Sequence, residues 1–298
     1  MKQRVKTSIF IMLATILAIL AKLLPMNIGD YIFDIFALVI VVVCGFEISE
    51  MLEKSGKQNN RFFATMYGVF NYFISLIVLK NQNLGVLVLA QIAGLVIYFV
   101  IVAIYLAVKE KQPSDQVFKM AFNTILCCVY PSFWFCFIVV INHIDYLAGV
   151  QYFSLIFIIL IFAVTMLTDT FAYLIGSKIR GPKLAPSISP NKTISGAVGG
   201  LLGGIVGAML VLGLAKVVPD LNSSLVMYSL SWWQFLIMGF ILSVFGQAGD
   251  LFESKLKRIA GVKDSGTIFP GHGGMMDRVD AMTFVVAVTF VWIFIFMI

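Results

Sequence analysis

Long apolar stretches recur along the whole chain, and they limit the possible folds more than any other feature. A helix needs roughly 20 apolar residues to cross a hydrocarbon core of about 30 Å, and backbone groups in lipid must hydrogen-bond within their own segment. Of the 298 residues, 60% are hydrophobic and only 12% are charged. The chain is therefore predicted to be an all-α, polytopic integral membrane protein. It has about nine transmembrane helices, at 8–24, 30–46, 62–79, 84–108, 117–141, 152–175, 196–217, 232–253 and 279–298.

The basic residues predict the orientation of these helices. Of the 21 Lys and Arg residues, 18 lie in alternate flanking segments, which nine crossings would bring to one face of the membrane. By the positive-inside rule that face is cytoplasmic, with the N-terminus inside and the C-terminus outside. The net charge of +6 follows from this orientation and calls for no nucleic-acid partner, although it favours acidic lipid head groups.

The character of the sequence changes near residue 150. Residues 1–150 are predicted to form scaffold helices, whose isolated polar residues serve either helix–helix hydrogen bonds or a substrate path. These are Asp34, Asn71, Gln91 and Asn123. Residues 151–298 are predicted to form a catalytic region with two polar cytoplasmic loops, at about 176–195 and 255–278. Between the loops, glycines at a spacing of four favour tight helix packing over a ligand role. They form two ladders, Gly196, Gly200, Gly204 and Gly199, Gly203, Gly207.

Acidic and basic side chains are concentrated in the second loop and at the helix ends beside it. Asp250 lies near the end of the eighth span, while Asp277 and Asp280, three residues apart, share a face where the last helix begins. Because Mg²⁺ prefers oxygen ligands and combines carboxylates with substrate phosphates, these three aspartates are candidate metal ligands and catalytic residues. Helix capping, worth about 1 kcal/mol, is the alternative, but it explains one aspartate better than three. The same segment supplies the candidate catalytic residues Lys257 and Arg258 and the candidate substrate-binding residues Ser254, Lys255, Lys263, Asp264 and Arg278.

A glycine-rich turn, Pro270-Gly271-His272-Gly273-Gly274, joins this cluster to the last helix. Gly273 and Gly274 would let phosphate oxygens approach backbone amides, so both are candidate substrate-binding residues. His272 is a candidate catalytic residue. Three roles remain open for it: general acid or base, hydrogen-bond donor to phosphate, or a turn residue bonded to backbone.

The first polar loop provides a second group of candidates. Asp169 and Tyr173 lie one turn apart at the predicted inner end of the sixth span, and the loop precedes the N-terminus of the glycine-rich helix, where amides suit phosphate. A turn and an N-cap would explain its hydroxyls taken alone. Beside Asp169 and the acidic-basic helix, a triphosphate clamp is favoured. Its candidate substrate-binding residues are Asp169, Tyr173, Ser187, Ser189, Lys192 and Thr193.

These motifs resemble a known family. Ser254-Lys255-Leu256-Lys257-Arg258, followed by Lys263-Asp264 and by Pro270 to Asp280, resembles the signature of phosphatidate cytidylyltransferases, also called CDP-diacylglycerol synthases. Asp169 to Tyr173 and Ser189 to Thr193 also resemble that family. Two positions depart from it: Asn191, where relatives often have lysine, and Ser195, where they often have glutamate.

The resemblance implies transfer of CMP from CTP to phosphatidic acid in phospholipid biosynthesis, giving CDP-diacylglycerol and pyrophosphate. It implies Mg²⁺ as cofactor, with a second cation left open, and CTP, phosphatidic acid and membrane lipids as partners, with a homodimer also left open. It places the protein in a bacterial-type inner membrane with the active site facing the cytoplasm. For Asp169, a role in holding metal and a role in orienting the ribose both remain open.

Two rival functions also remain. A transporter would place its acids near the bilayer midplane, whereas the aspartates here map to the predicted cytoplasmic boundary. The second rival is another lipid head-group transferase, or a nucleotidyltransferase acting on a polyprenyl phosphate or a glycerol ether lipid.

Overall fold

The computed structural model describes residues 2–24, 28–79, 83–109, 113–269 and 273–296. These residues form helices, connecting turns and one two-stranded hairpin. The hairpin strands are β1 Lys183–Ala185 and β2 Ser189–Thr193. The helices are α1 Lys2–Ala21, α2 Ile28–Lys54, α3 Arg61–Leu79, α4 Leu84–Lys109, α5 Ser114–Cys127, α6 Phe137–Asn142, α7 Ile144–Ala148, α8 Phe153–Ile179, α9 Ile194–Val217, α10 Pro219–Met227, α11 Trp232–Ile259 and α12 Met276–Phe296.

Eight helical stretches within the described residues are long and apolar enough to cross a membrane. They are Ile28–Lys54, Arg61–Leu79, Gly85–Lys109, Ser114–Asn142, Phe153–Ile179, Ile194–Val217, Trp232–Ile259 and Met276–Phe296. They match the second to ninth predicted spans, and the all-α, polytopic membrane fold is confirmed. The first predicted span corresponds to α1, whose apolar part, Ile9–Ala21, is shorter than the other eight. The orientation of the two termini stays a prediction.

The stretch Ser114–Asn142 is one predicted span built from two helices. A π-helical turn, Cys128–Phe133, separates α5 from α6, and it contains Pro131. Proline has no backbone N–H and clashes with the preceding turn, so it interrupts the regular hydrogen-bond ladder. Tyr130, just before it, has non-helical backbone angles (φ −124°, ψ 126°). The sequence predicted the span but not this interruption.

The contacts divide the chain into two compact units. Unit one comprises Met1–Val140 and Lys257–Arg278, and unit two comprises Ile141–Leu256 and Val279–Ile298. Most of the second polar loop therefore packs with the N-terminal helices. The functional division at residue 150 stays a prediction.

In unit one, polar side chains within the apolar helices bond to neighbouring helices. Asp34 accepts a hydrogen bond from the Tyr72 hydroxyl at 3.1 Å, and Gln91 donates to the Ser75 hydroxyl at 2.7 Å. Asn123 donates to the Gln58 carbonyl, in the loop between α2 and α3, at 2.9 Å. For Asp34 and Gln91, these contacts support the predicted role in helix–helix hydrogen bonds.

In unit two, the glycines of α9 bring helix backbones close together. A Cβ on Gly203 would lie 2.3 Å from the Leu167 carbonyl oxygen of α8. One on Gly204 would lie 2.5 Å from the Ser243 Cβ of α11. The two faces of α9 thus pack against two different helices, which confirms the predicted role in tight packing.

Candidate active site

A pocket of about 560 Å³ lies in unit two. It is bounded by the second half of α8, the β1–β2 hairpin, the first turn of α9 and the second half of α11. Six of the predicted site residues line it: Asp169, Tyr173, Ser189, Lys192, Thr193 and Asp250. Ser187 lies exposed in the turn between the strands and does not line the pocket.

The hairpin and the start of α9 fix one wall of this pocket. Thr193 Oγ1 accepts a hydrogen bond from the Gly196 amide at 3.1 Å and so caps α9. A Cβ on Gly196 would lie 2.9 Å from the Ala172 carbonyl oxygen, so glycine lets the N-terminus of α9 lie directly against α8. Gly196 and Ala197 both line the pocket, and the positive end of the helix dipole is therefore at its wall.

The pocket contains charges of both signs. Lys192 forms an ion pair with Asp250, and the two side chains are 27% and 30% exposed. Asp169, on α8, also lines the pocket. A cation, two carboxylates and a helix N-terminus in one pocket are the groups that bind a phosphate with its counter-ion.

Further acids adjoin Asp250. The Asp280 carboxylate interacts electrostatically with Asp250, Glu253 and Asp169. A Cβ on Gly249 would lie 2.9 Å from the Asp280 carbonyl oxygen, which shows how closely α11 and α12 approach here. All these acids have hard oxygen atoms. Within the described ranges, however, no three acidic, histidine or cysteine side chains are close enough to form a metal-binding group by themselves.

Asp277 has a different environment, in unit one. Its Oδ1 lies 2.7 Å from Lys257 Nζ, and its Oδ2 accepts hydrogen bonds from the amides of Ser265 (2.9 Å) and Gly274 (2.7 Å). A Cβ on Gly273 would lie 2.4 Å from Asp277 Oδ2, and Gly273 has a φ of +82°, so only glycine fits there. Asp277 thus organises the loop. The predicted metal site of Asp250, Asp277 and Asp280 stays a prediction.

The remaining predicted residues occupy several positions. Ser254 is 9% exposed and donates to Asp250 Oδ1 at 3.4 Å. Five charged residues of the second loop and the adjoining helix ends are exposed: Lys255, Arg258, Lys263, Asp264 and Arg278. His272 lies outside the described residues.

Two polar residues beside these groups were not among the predicted ones. Gln247 lines the pocket and donates to the Ala197 carbonyl at 3.3 Å. Glu47, only 1% exposed in α2, accepts hydrogen bonds from the amides of Met275 and Met276. The available signal for Glu47 was an acid directly after the second predicted span, 30–46, at the end of its apolar run.

Comparison with known proteins gives consistent results. A family model described as "Cytidylyltransferase family" matches residues 2–296. A Staphylococcus aureus (strain COL) protein is 33% identical over 286 residues, which cover 96% of each chain. A Staphylococcus epidermidis (strain ATCC 12228) protein is 33% identical over 275 residues (91% of this chain, 94% of the relative). One from Thermotoga maritima is 31% identical over 252 residues (85% and 84%). All three relatives are named phosphatidate cytidylyltransferase.

Proposed function

Because the chain belongs to the cytidylyltransferase family, we propose that this membrane nucleotidyltransferase transfers CMP from CTP to phosphatidic acid. The products are CDP-diacylglycerol and pyrophosphate. The observation that carries the proposal is the pocket of unit two, where Lys192, Asp250 and the N-terminus of α9 lie together. The names of the relatives support the same reaction.

In this reaction a phosphate oxygen of phosphatidic acid attacks the α-phosphorus of CTP. The bond from that phosphorus to the bridging oxygen of the β-phosphate breaks, and pyrophosphate leaves. A phosphomonoester has a second pKa near 6 and is already nucleophilic at neutral pH, so no strong general base is needed. The protein's task is to position the reactants and to neutralise charge.

We assign the binding of the triphosphate to the pocket wall. The amides at the start of α9 face phosphate oxygens, and Lys192 exchanges its carboxylate partner Asp250 for a phosphate oxygen. Ser189 and Thr193 line the pocket from the hairpin, while Tyr173, which is 74% exposed, and Asp169 line it from α8. Asp169 thus adjoins both the nucleotide and the acids of α11 and α12.

The carboxylates of unit two suit Mg²⁺, because it commonly takes one or two carboxylates together with substrate phosphates and waters. We propose Asp250 and Asp280 as the residues that hold it. Asp277, whose oxygens are engaged by Lys257, Ser265 and Gly274, serves to shape the loop. When bound, the metal supplies charge neutralisation for the triphosphate and its leaving group.

We further propose that the pocket opens to the cytoplasm of a bacterial cell, where CTP is available. The basic segments on the predicted inner face and the bacterial sources of the relatives support this orientation.

The test is an assay of the purified full chain in detergent micelles with CTP, phosphatidic acid and Mg²⁺, following pyrophosphate and CDP-diacylglycerol. We expect release that requires both substrates and falls at least about 100-fold in Asp250→Asn and Asp280→Asn. Asp115→Asn is the control, since Asp115 is exposed and pairs with the exposed Lys119 at 3.6 Å. No release by the unaltered protein, or equal rates in Asp250→Asn, would refute the proposal. Activity with a polyprenyl phosphate in place of phosphatidic acid would identify the rival substrate.

A further inference from the structure

Glu47 connects α2 to the second polar loop through three hydrogen bonds. Its Oε1 accepts from the Met275 amide at 2.9 Å, and its Oε2 accepts from the Met276 amide at 2.9 Å. Oε2 also lies 3.0 Å from the Ser265 hydroxyl. Met276 is the first residue of α12, so a side chain from another helix satisfies amides at its N-terminus, which has no intrahelical acceptors.

The loop is shaped around this carboxylate. A Cβ on Gly266 would lie 2.3 Å from Glu47 Oε1, and a Cβ on Gly274 would lie 2.4 Å from both carboxylate oxygens. No other residue could occupy either position without displacing the acid or the loop. Glu47 and Ser265 are each 1% exposed. Burying a carboxylate costs free energy unless it is hydrogen-bonded, so the position of Glu47 depends on the donors that the loop and the start of α12 provide.

The connection continues from Glu47 to the loop's ion pair. Ser265 Oγ lies 2.9 Å from Asp277 Oδ2, and Asp277 Oδ1 lies 2.7 Å from Lys257 Nζ. Ser265 Oγ thus lies within hydrogen-bond distance of both carboxylates, Glu47 and Asp277. We propose that Glu47 is a positioning residue for the transfer reaction, which fixes the Lys257–Asp277 pair through Ser265 and the start of α12. This inference rests on the proposed function and on the prediction from the sequence that Lys257, in the second loop segment, is a catalytic residue.

The role requires a carboxylate of this length. Glu47 meets three donors with two acceptor oxygens, whereas glutamine would place its NH₂ group against N–H or O–H groups. A buried donor facing another donor loses its hydrogen bond and pays the desolvation cost. Aspartate is one methylene shorter and would withdraw both oxygens from the amides. Neither substitution should therefore restore the contact.

The first test compares Glu47→Gln with Glu50→Gln, the same change on the same helix, where Glu50 pairs with Lys54 near the surface. We expect Glu47→Gln to lower kcat by about 10- to 100-fold, the scale of a displacement near 1 Å. KM for CTP should change less than about threefold, because the pocket of unit two is unaltered. Glu50→Gln should keep the original kcat. An unchanged kcat in Glu47→Gln, an equal loss in Glu50→Gln, or a change in KM alone would overturn the proposal.

A second readout does not depend on activity. A spin label on Thr267→Cys, exposed in the loop, can be attached selectively because the four native cysteines are free and buried. We expect Glu47→Gln to increase the mobility of the label and Glu50→Gln to leave it unchanged. If Glu47→Gln does not fold, Ser265→Ala provides the same comparison with a smaller change. Unchanged label mobility in the variant that folds would overturn the proposal.

The two readouts also separate this inference from the proposed function. If the unaltered protein releases no pyrophosphate, the proposed function fails and the positioning role fails with it. The spin label then still decides whether Glu47 fixes the loop. If the unaltered protein is active and Glu47→Gln matches it, only the inference about Glu47 fails.

Discussion

Replacing Gly203 by alanine tests the packing on which the pocket depends. The added Cβ would lie 2.3 Å from the Leu167 carbonyl oxygen and 2.7 Å from the Phe171 Cβ, whereas ordinary contact begins at 3.4 Å. The difference from Leu167, about 1 Å, must be met by moving the backbones of α8 and α9 apart. Overpacking of this kind typically costs about 1–3 kcal/mol.

Gly213→Ala is the matched control, because it adds the same methyl group to the same helix where nothing lies within 4 Å. At roughly 2–4 °C for each kcal/mol, we expect Gly203→Ala to lower Tm by roughly 2–12 °C. Gly213→Ala should leave Tm unchanged or raise it slightly, because alanine favours a helix more than glycine does. The four free, buried cysteines allow unfolding to be followed with a thiol-reactive fluorophore in detergent. Equal Tm values for the two variants would refute the close approach of α8 and α9.

The remaining predictions concern the hairpin and the start of α9. Lys192→Met should raise KM for CTP about tenfold or more, because it removes the cation beside Asp250. Lys183→Met, on the exposed neighbouring strand, should leave KM unchanged. Initial rates measured over a series of CTP concentrations would test both. Thr193→Ala should lower the free energy of unfolding by about 1 kcal/mol, because it removes the cap on the Gly196 amide. Thr193→Ser should retain the cap and the stability. Thermal unfolding measures both variants, and equal stability of the two would contradict the cap.

Hydropathy predicted the membrane helices well because burial in lipid imposes the same requirement on every residue of a span. Eight of the nine predicted spans coincide with helices that are long and apolar enough. The first predicted span, 8–24, falls on α1 Lys2–Ala21, in which the described apolar stretch is Ile9–Ala21. The break at Pro131 arises because proline lacks a backbone N–H, a local effect that hydropathy does not register.

The pocket residues could be predicted from the sequence because they lie near the ends of apolar spans, where polar side chains stand out. Asp169, Lys192 and Asp250 each lie in or near a polar boundary of an apolar span, and the structure brings them to one pocket. Glu47 could not be assigned in the same way. Its partner Met275 is 228 positions away along the chain, and a single sequence does not indicate which distant loop meets a buried acid.

Capping and site formation are alternative explanations for several residues, but at Thr193 and Asp277 the structure indicates that they reinforce one another. Thr193 caps α9, and by doing so it holds the helix amides at the wall of the pocket. Asp277 binds the amides of Ser265 and Gly274, and the same contacts hold its other oxygen against Lys257. A polar side chain acts on a substrate only if its position is fixed. A hydrogen bond to nearby backbone fixes that position. In a membrane protein of this kind, a cap beside a pocket is therefore an argument for a functional site rather than against one.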